Sequence, residues 1–244
     1  MMKFRYLMLA ALMLAASFTY AAKPKTYYVR IETQTGESII KLYNETPQHR
    51  DNFVKLAKKR FFNGTLFHRV IKEFMIQGGD PDSKTAKPGQ MLGNGGLKYT
   101  IPAEFNSMLF HKKGALAAAR DDNAAKASSS TQFYIVQGQA FTDEELNRIE
   151  QIRLGGRKIP AQQREVYKTL GGTPHLDQTY TVFGEVVKGI EHVDKIAEAK
   201  TDAANRPLED IRMKVSLLKR REIKRLEKEL IQQSFKSKQI MDAR

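Results

Sequence analysis

Short alternating runs between turn residues fill most of this chain. Tyr27 to Glu32 alternates, with Tyr27, Val29 and Ile31 on one face; Gln34-Thr35-Gly36-Glu37 supplies a turn, and Ser38 to Tyr43 returns, which predicts a β-hairpin. The period then changes. Thr46-Pro47 opens a helix, since proline is tolerated in a first turn, and Phe53, Leu56 and Ala57 follow at i, i+3, i+4 spacing before Phe61-Phe62-Asn63-Gly64 ends it. Two apolar pieces come next, Phe67 to Ile71 and Phe74 to Gln77, around the charged pair Lys72-Glu73. Strict alternation groups Phe67, Arg69 and Ile71 on one face, His68 and Val70 on the other, and Met75 with Gln77. An Arg and a Gln therefore fall among Phe and Met in a segment that otherwise reads as half-buried strand. A salt-bridged arginine on a sheet edge is the plain alternative.

From Asp80 to Gly96 the composition turns to Gly, Pro, Lys and Ser, a long loop. Its Gly93-Asn94-Gly95-Gly96 has no Lys-Ser/Thr after it, so it reads as a turn and not a phosphate cradle. Tyr99 to Phe105 is a short extended piece. Gly114 to Ala119 passes for helix on alanine content, Asp121 to Ser130 is a polar loop, and Gln132 to Val136 is a strand. Thr142-Asp143-Glu144-Glu145 is a capping box, with Leu146, Ile149 and Ile152 on one helical face behind it. Pro160 opens a second helix that Gly171 closes. Tyr180 to Val187 returns to strand, and Gly189 to Ala197 is helical with Ile190, Val193, Ile196 and Ala197 as its stripe. Ile211, Met213, Val215 and Leu217 alternate in a last strand. From Lys219 to about Gln233 a charged helix carries only Ile223, Leu226 and Leu230, too short a stripe for a coiled coil, so it docks on the domain or binds a partner. Periodicity alone gives a mostly β chain.

Composition adds three points. With 244 residues and 41% hydrophobic content the chain builds one domain with additions, or two small ones. The formal charge is +14, partly local: residues 219–244 hold nine Lys/Arg against four Asp/Glu. That tail is either a solvated face or a contact for an anionic surface or protein partner. No cysteine is present, which excludes disulfides, thiolate chemistry and Cys-ligated zinc. Residues 1–22 read as a secretory signal: Lys3 and Arg5 precede an apolar Leu7 to Ala16, with cleavage expected after Ala21 or Ala22. Loss of that segment leaves +12. An exported form in the periplasm with the signal cleaved is the expected state, an uncleaved anchor or extracellular release being the alternatives.

The run Phe67-His68-Arg69-Val70-Ile71-Lys72-Glu73-Phe74-Met75-Ile76-Gln77-Gly78-Gly79-Asp80 resembles the signature of the cyclophilins, a class of peptidyl-prolyl cis-trans isomerases. Gly114 to Arg120, Ser130 to Ile135, His175-Leu176-Asp177 and Tyr180 to Gly184 resemble the later family blocks, in order. The resemblance covers roughly residues 26–218, interrupted by a helical insertion at 140–172, and leaves 219–244 as a basic helical tail. It implies an all-β fold, a closed eight-stranded antiparallel barrel capped by two α-helices, with Gly114 to Ala119 as strand and Gly93 to Gly96 beside the active site. The insertion either adds contacts near the groove or decorates the barrel.

The implied chemistry is rotation about X-Pro bonds. That rotation faces a barrier of about 18–20 kcal/mol and takes tens to hundreds of seconds unaided. It needs a donor aimed at the prolyl nitrogen, an apolar slot for the ring and fixed partners for the peptide, with no nucleophile, metal or cofactor. By resemblance Arg69 is the main catalytic residue and Gln77 orients it and bonds the substrate backbone; Phe74, Met75, Tyr134 and Leu176 line the proline slot. Ala119 and Arg120 lie along the peptide, and His68, Gln132 and Tyr180 complete the substrate-binding set. Three departures stand out. The usual Pro-Gly before Phe74 is Lys72-Glu73, the slot's usual Phe is Tyr134, and a position often held by Trp is His175. The Trp helps grip cyclosporin, so weak inhibition by that drug is expected. Proline-containing polypeptides are the expected partners of a monomeric enzyme that assists the folding of exported proteins, with no specific nucleic acid. A binding module of the same fold, with turnover incidental, is the competing reading.

Overall fold

The computed structural model describes residues 25–242, so the expected signal at 1–22 lies outside the described residues. Eight strands form one antiparallel sheet: β1 (Tyr27–Thr33), β2 (Gly36–Leu42), β3 (Phe67–Ile71), β4 (Met75–Gly78), β6 (Ala115–Ala118), β8 (Phe133–Val136), β9 (Val182–Lys188) and β10 (Lys214–Leu217). Their spatial order is β10-β1-β2-β9-β6-β8-β4-β3, and β5 (Thr100–Ile101) pairs separately with β7 (Ser128–Ser129). Helices α1 (Pro47–Lys58) and α4 (Ile190–Ala197) pack Phe53, Leu56, Val193 and Ile196 into the interior, beside Val29, Ile40, Phe67, Ile76, Leu116 and Phe133. Phe53 stacks on Phe62 at 4.7 Å and meets Phe133 edge-on at 5.3 Å, so phenylalanine fills the centre.

The expected closed barrel is corrected to an open sheet. The end strands β3 and β10 share no ladder. They begin at Phe67 and Lys214, and only the segments just before them meet, through the isolated Leu66–Arg212 bridge and the bonds Phe67 N–H to Ile211 O (3.0 Å) and Met213 N–H to Thr65 O (2.8 Å). Beyond that point Val215 N–H turns to the Asn63 side chain at 3.0 Å, and Val70 N–H on β3 bonds Asn205 O at 2.8 Å. Beside the two capping helices stand α2 (Asp143–Ile152) and α3 (Ala161–Thr169), the two helices expected of the insertion, and α5 (Arg220–Asp242), the expected C-terminal helix.

Strand β6 shows tertiary packing overriding propensity. Leu116 and Ala118 face the interior, whereas Ala115, Ala117 and Ala119 face a second apolar cluster with Met75, Tyr134, Val136 and Val182. Alanine is the side chain that fits where both faces of a central strand are covered. The basic helix α5 docks by its narrow stripe: Leu226, with Ile223 and Leu230, covers Tyr28, Ile39 and Leu218 on the outside of the sheet. Glu222 and Glu229 pair with Arg30 (3.0 Å) and Lys188 (2.8 Å).

Candidate active site

Cross-strand register assembles the site. Arg69 lies opposite Gln77, Gln77 opposite Tyr134, and Tyr134 opposite Ala117, in one row over four strands. The next row is Ile71, Met75 and Val136. Directly paired residues share a face, so both rows point away from the sheet's core-facing side. Strict alternation misassigned one residue here. The register shifts between Phe67 and Arg69, so that His68 is an extra residue in β3. A bulge of this kind resets the alternation: Phe67 turns into the interior with Val70, while Arg69 and Ile71 face the groove.

The turn between β3 and β4 works without Pro-Gly. Glu73 adopts the left-handed conformation at φ 63°, and its N–H donates to Gln137 Oε1 at 2.6 Å while Phe74 N–H closes the turn on Ile71 O at 3.1 Å. Phe74 then projects over the groove and stacks on His175, with centroids 5.6 Å apart.

The groove has a volume of about 370 Å³. Phe74, Met75, Ala119, Tyr134, Leu176 and Tyr180 supply its apolar wall, and His68, Arg69, Gln77 and Arg120 its polar positions. Gln132 is the one expected site residue outside that cavity. It lies behind Gln77 and faces an adjoining depression. Its Nε2 donates to Gly93 O and Gly95 O, both at 2.8 Å, which turns its Oε1 toward Gln77 Nε2 at 3.1 Å. Gln77 Oε1 then faces Arg69 Nη1 at 3.3 Å. A chain of three side chains thus fixes the guanidinium from behind and leaves its other donors available to the groove.

Arg120 is held along the rim: Nε donates to Thr179 O at 3.0 Å, and its guanidinium lies 4.8 Å from the Tyr180 ring centre. Tyr180 meets Tyr134 edge to face at 5.9 Å. His68 is 4% exposed, and burial pushes it down to about 4, against the opposing pull of Asp80. It is therefore neutral at neutral pH. Burial also holds the Tyr134 phenol well above its ordinary value, so it stays protonated.

The glycine loop forms a nest for a carboxylate of its own chain. Asp80, fully buried, accepts from Gly93 N–H (2.6 Å), Gly95 N–H (3.3 Å) and Asp82 N–H (2.9 Å). A Cβ on Gly95 would collide with the Asp80 carboxylate, which explains glycine there. Sequence reasoning missed the residues that pin this loop from afar. Arg206 bonds Lys87 O at 3.0 Å and Gln90 O at 2.5 Å, and with Asp202 and Ala204 it lines the far end of the groove. Partners more than a hundred positions apart leave no local signal. Among the described residues no group of three or more His, Asp or Glu side chains could hold a metal ion.

Residues 28–216 match the family model "Cyclophilin type peptidyl-prolyl cis-trans isomerase/CLD". A putative peptidyl-prolyl cis-trans isomerase of Staphylococcus haemolyticus is 35% identical over 184 residues, 75% of this chain and 86% of that protein. A putative bifunctional phosphatase/peptidyl-prolyl cis-trans isomerase of Streptococcus pyogenes is 37% identical over 75% of this chain but only 37% of its own length. A crystal structure of a Cryptosporidium parvum cyclophilin aligns with a TM-score of 0.60 at 21% identity, covering 80% of this chain and 99% of that one, a likeness of fold. The same protein crystallised in the presence of the dipeptide Ala-Pro aligns with a TM-score of 0.56. With the family model spanning most of its length, this chain belongs to the cyclophilin-type peptidyl-prolyl cis-trans isomerases, an enzyme class that works without a cofactor.

Proposed function

We propose that the groove binds proline-containing segments of unfolded or loop polypeptide, and that Arg69 accelerates X-Pro rotation while Gln77 orients it and holds the substrate backbone. One observation carries this reading: a guanidinium backed by Gln77 at 3.3 Å opens onto a slot walled by Phe74, Met75, Tyr134 and Leu176. As the amide twists, its nitrogen lone pair localises, and a fixed cation-borne donor stabilises that state more than the planar one. The apolar slot holds the ring while Ala119, Arg120, His68 and Tyr180 frame the chain on either side. Gln132 acts here as the anchor of Gln77. The test is cis-to-trans relaxation of a proline tetrapeptide, followed with the protein from residue 23 onward and with its Arg69→Ala variant; equal rates would refute the assignment.

We further propose that the substrates are exported proteins and that the enzyme works in the periplasm. The basic, apolar and small-residue order of residues 1–22 supports this. Fractionation of cells producing the full chain tests it, and retention of the uncleaved form in the cytoplasm would overturn it. Docking of α5 leaves Arg220, Arg221, Lys224, Arg225 and Lys228 exposed, a face suited to an anionic surface. Retention on an anionic matrix that falls with salt, and that disappears when residues 219–244 are deleted, is the expected result.

A further inference from the structure

Tyr134 brings a hydroxyl into a buried apolar cluster, where an unpaired one costs about 1–3 kcal/mol. Its partner is His111 Nε2, 2.9 Å away. His111 is itself fully buried. Its Nδ1 lies 2.9 Å from Asp177 Oδ1, which also receives the His111 backbone N–H at 2.9 Å. The second oxygen of Asp177 accepts from Tyr167 O–H at 2.7 Å. Tyr167, on α3, belongs to the inserted helices.

The chemistry sets the direction of each proton. A carboxylate only accepts, so His111 presents a proton to it at Nδ1; with the ring neutral, Nε2 offers a lone pair and Tyr134 donates to it. The Tyr134 hydroxyl hydrogen is drawn out of the proline slot, and its ring is held within 14° of the imidazole plane. That ring is the slot wall that Tyr180 abuts. Nothing else in α3 depends on the Tyr167 hydroxyl: the ring packs edge-on to Phe110 at 5.5 Å, in a cluster with Leu146 and Ile159.

We infer that Tyr167 is a positioning residue for isomerisation, acting through Asp177 and His111 to hold Tyr134, so that the insertion tunes the proline slot instead of merely decorating the sheet. The inference rests on reading the groove as the proline site.

A double-mutant cycle tests it. Tyr167→Phe keeps the packing and removes one donor. It lowers kcat/KM for a proline tetrapeptide by about three- to tenfold, a fraction of the worth of a hydrogen bond to a carboxylate because the effect reaches the slot only through Asp177 and His111. In a Tyr134→Phe background the same change alters kcat/KM by less than about twofold, because the end of the relay is already gone. The melting temperature falls in both backgrounds, since Asp177 loses a donor in each. Equal catalytic losses in the two backgrounds, or none in the wild type, would overturn the inference and leave Tyr167 a structural residue. Nitrogen-15 spectra of the unmutated protein give an independent check: His111 must be protonated at Nδ1, and the opposite tautomer refutes the relay. Arg69→Ala serves as control. An Arg69→Ala variant as active as wild type would sink the groove assignment itself; one that is inactive beside an unimpaired Tyr167→Phe sinks only the relay.

Discussion

Removing the Arg69 side chain is the most direct test of how this groove works. The guanidinium is not free to search: Gln132 commits both amide hydrogens to Gly93 O and Gly95 O, which orients Gln77, which in turn holds Arg69 Nη1. A preorganised donor of this kind, aimed at charge that appears only in the transition state, is worth about 2.7–4 kcal/mol, or 10²–10³ in rate. An enzyme at the low end of catalytic power accelerates about 10⁶-fold, roughly 8 kcal/mol. Arg69→Ala therefore drops the rate by about 10²–10³ and leaves a residual acceleration of about 10³–10⁴ that belongs to the slot. Gln77→Leu acts only through orientation and backbone contact, so its loss is smaller, on the order of tenfold. The assay is nuclear magnetic resonance exchange or protease-coupled relaxation on a proline tetrapeptide, with circular dichroism to verify folding. A folded Arg69→Ala within threefold of wild type would refute the reasoning, because the other groove arginines are committed elsewhere, Arg120 to Thr179 O and Arg206 to Lys87 O and Gln90 O.

Four further outcomes follow from the structure. With a guanidinium charged throughout, Tyr134 held protonated and His68 neutral, kcat/KM is flat from mildly acidic to mildly basic pH, and a sharp bell-shaped profile would contradict it. Stability behaves differently. His68 titrates at about 4 when folded and near 6.5 unfolded, so the unfolded chain binds the extra proton, and stability present above 6.5 is lost as pH falls toward 4. By urea unfolding, wild type loses roughly 2–3 kcal/mol between pH 7 and 4.5 from this group, a loss that His68→Gln removes. His175 stacks on Phe74 where a larger indole would extend the wall; cyclosporin binds weakly, and His175→Trp tightens it by roughly 30–100-fold in a titration. Leu226 is 3% exposed under α5, so Leu226→Ala costs about 2–3 kcal/mol in thermal or urea unfolding while kcat/KM at 25 °C is unchanged.

Local signals in the sequence were legible wherever one cause dominated. Thr142 forms the expected capping box with Glu145, α1 begins at Pro47, and Gly171, at φ 87°, follows the end of α3. What sequence reading missed came from competition between causes. Ile152 was expected on the buried stripe of α2 and is 71% exposed, because the helix instead buries Glu150, whose carboxylate takes Lys158 (2.7 Å), Arg164 (2.9 Å) and Ile159 N–H (3.0 Å). A charged residue with three partners from a later segment looks like surface when read in order. Most of the residues that line the groove lie in the signature run and the later blocks of the resemblance. Arg206, His111 and Tyr167 were missed, because each acts on a residue 10 to 119 positions away through side-chain contacts that no period encodes.

The open ends of the sheet and the orientation of Arg69 are physically linked. β3 is the terminal strand, with a ladder to β4 on one side and, on the other, only the bond from Phe67 to Ile211 at its start and a loop bond from Val70 to Asn205. An extra residue disrupts every ladder it interrupts, so a bulge costs least at an edge. His68 is that extra residue, and by absorbing one step of the alternation it lets Phe67 enter the interior while Arg69 still meets Gln77 across the strands. A continuous ladder from β3 to β10 would require the partner strand to follow the same bulge. The edge at which the sheet stops pairing is thus the edge that can present a guanidinium to a groove, and the loop carrying Asp202 to Arg206 covers the unpaired side while lining the far end of that groove.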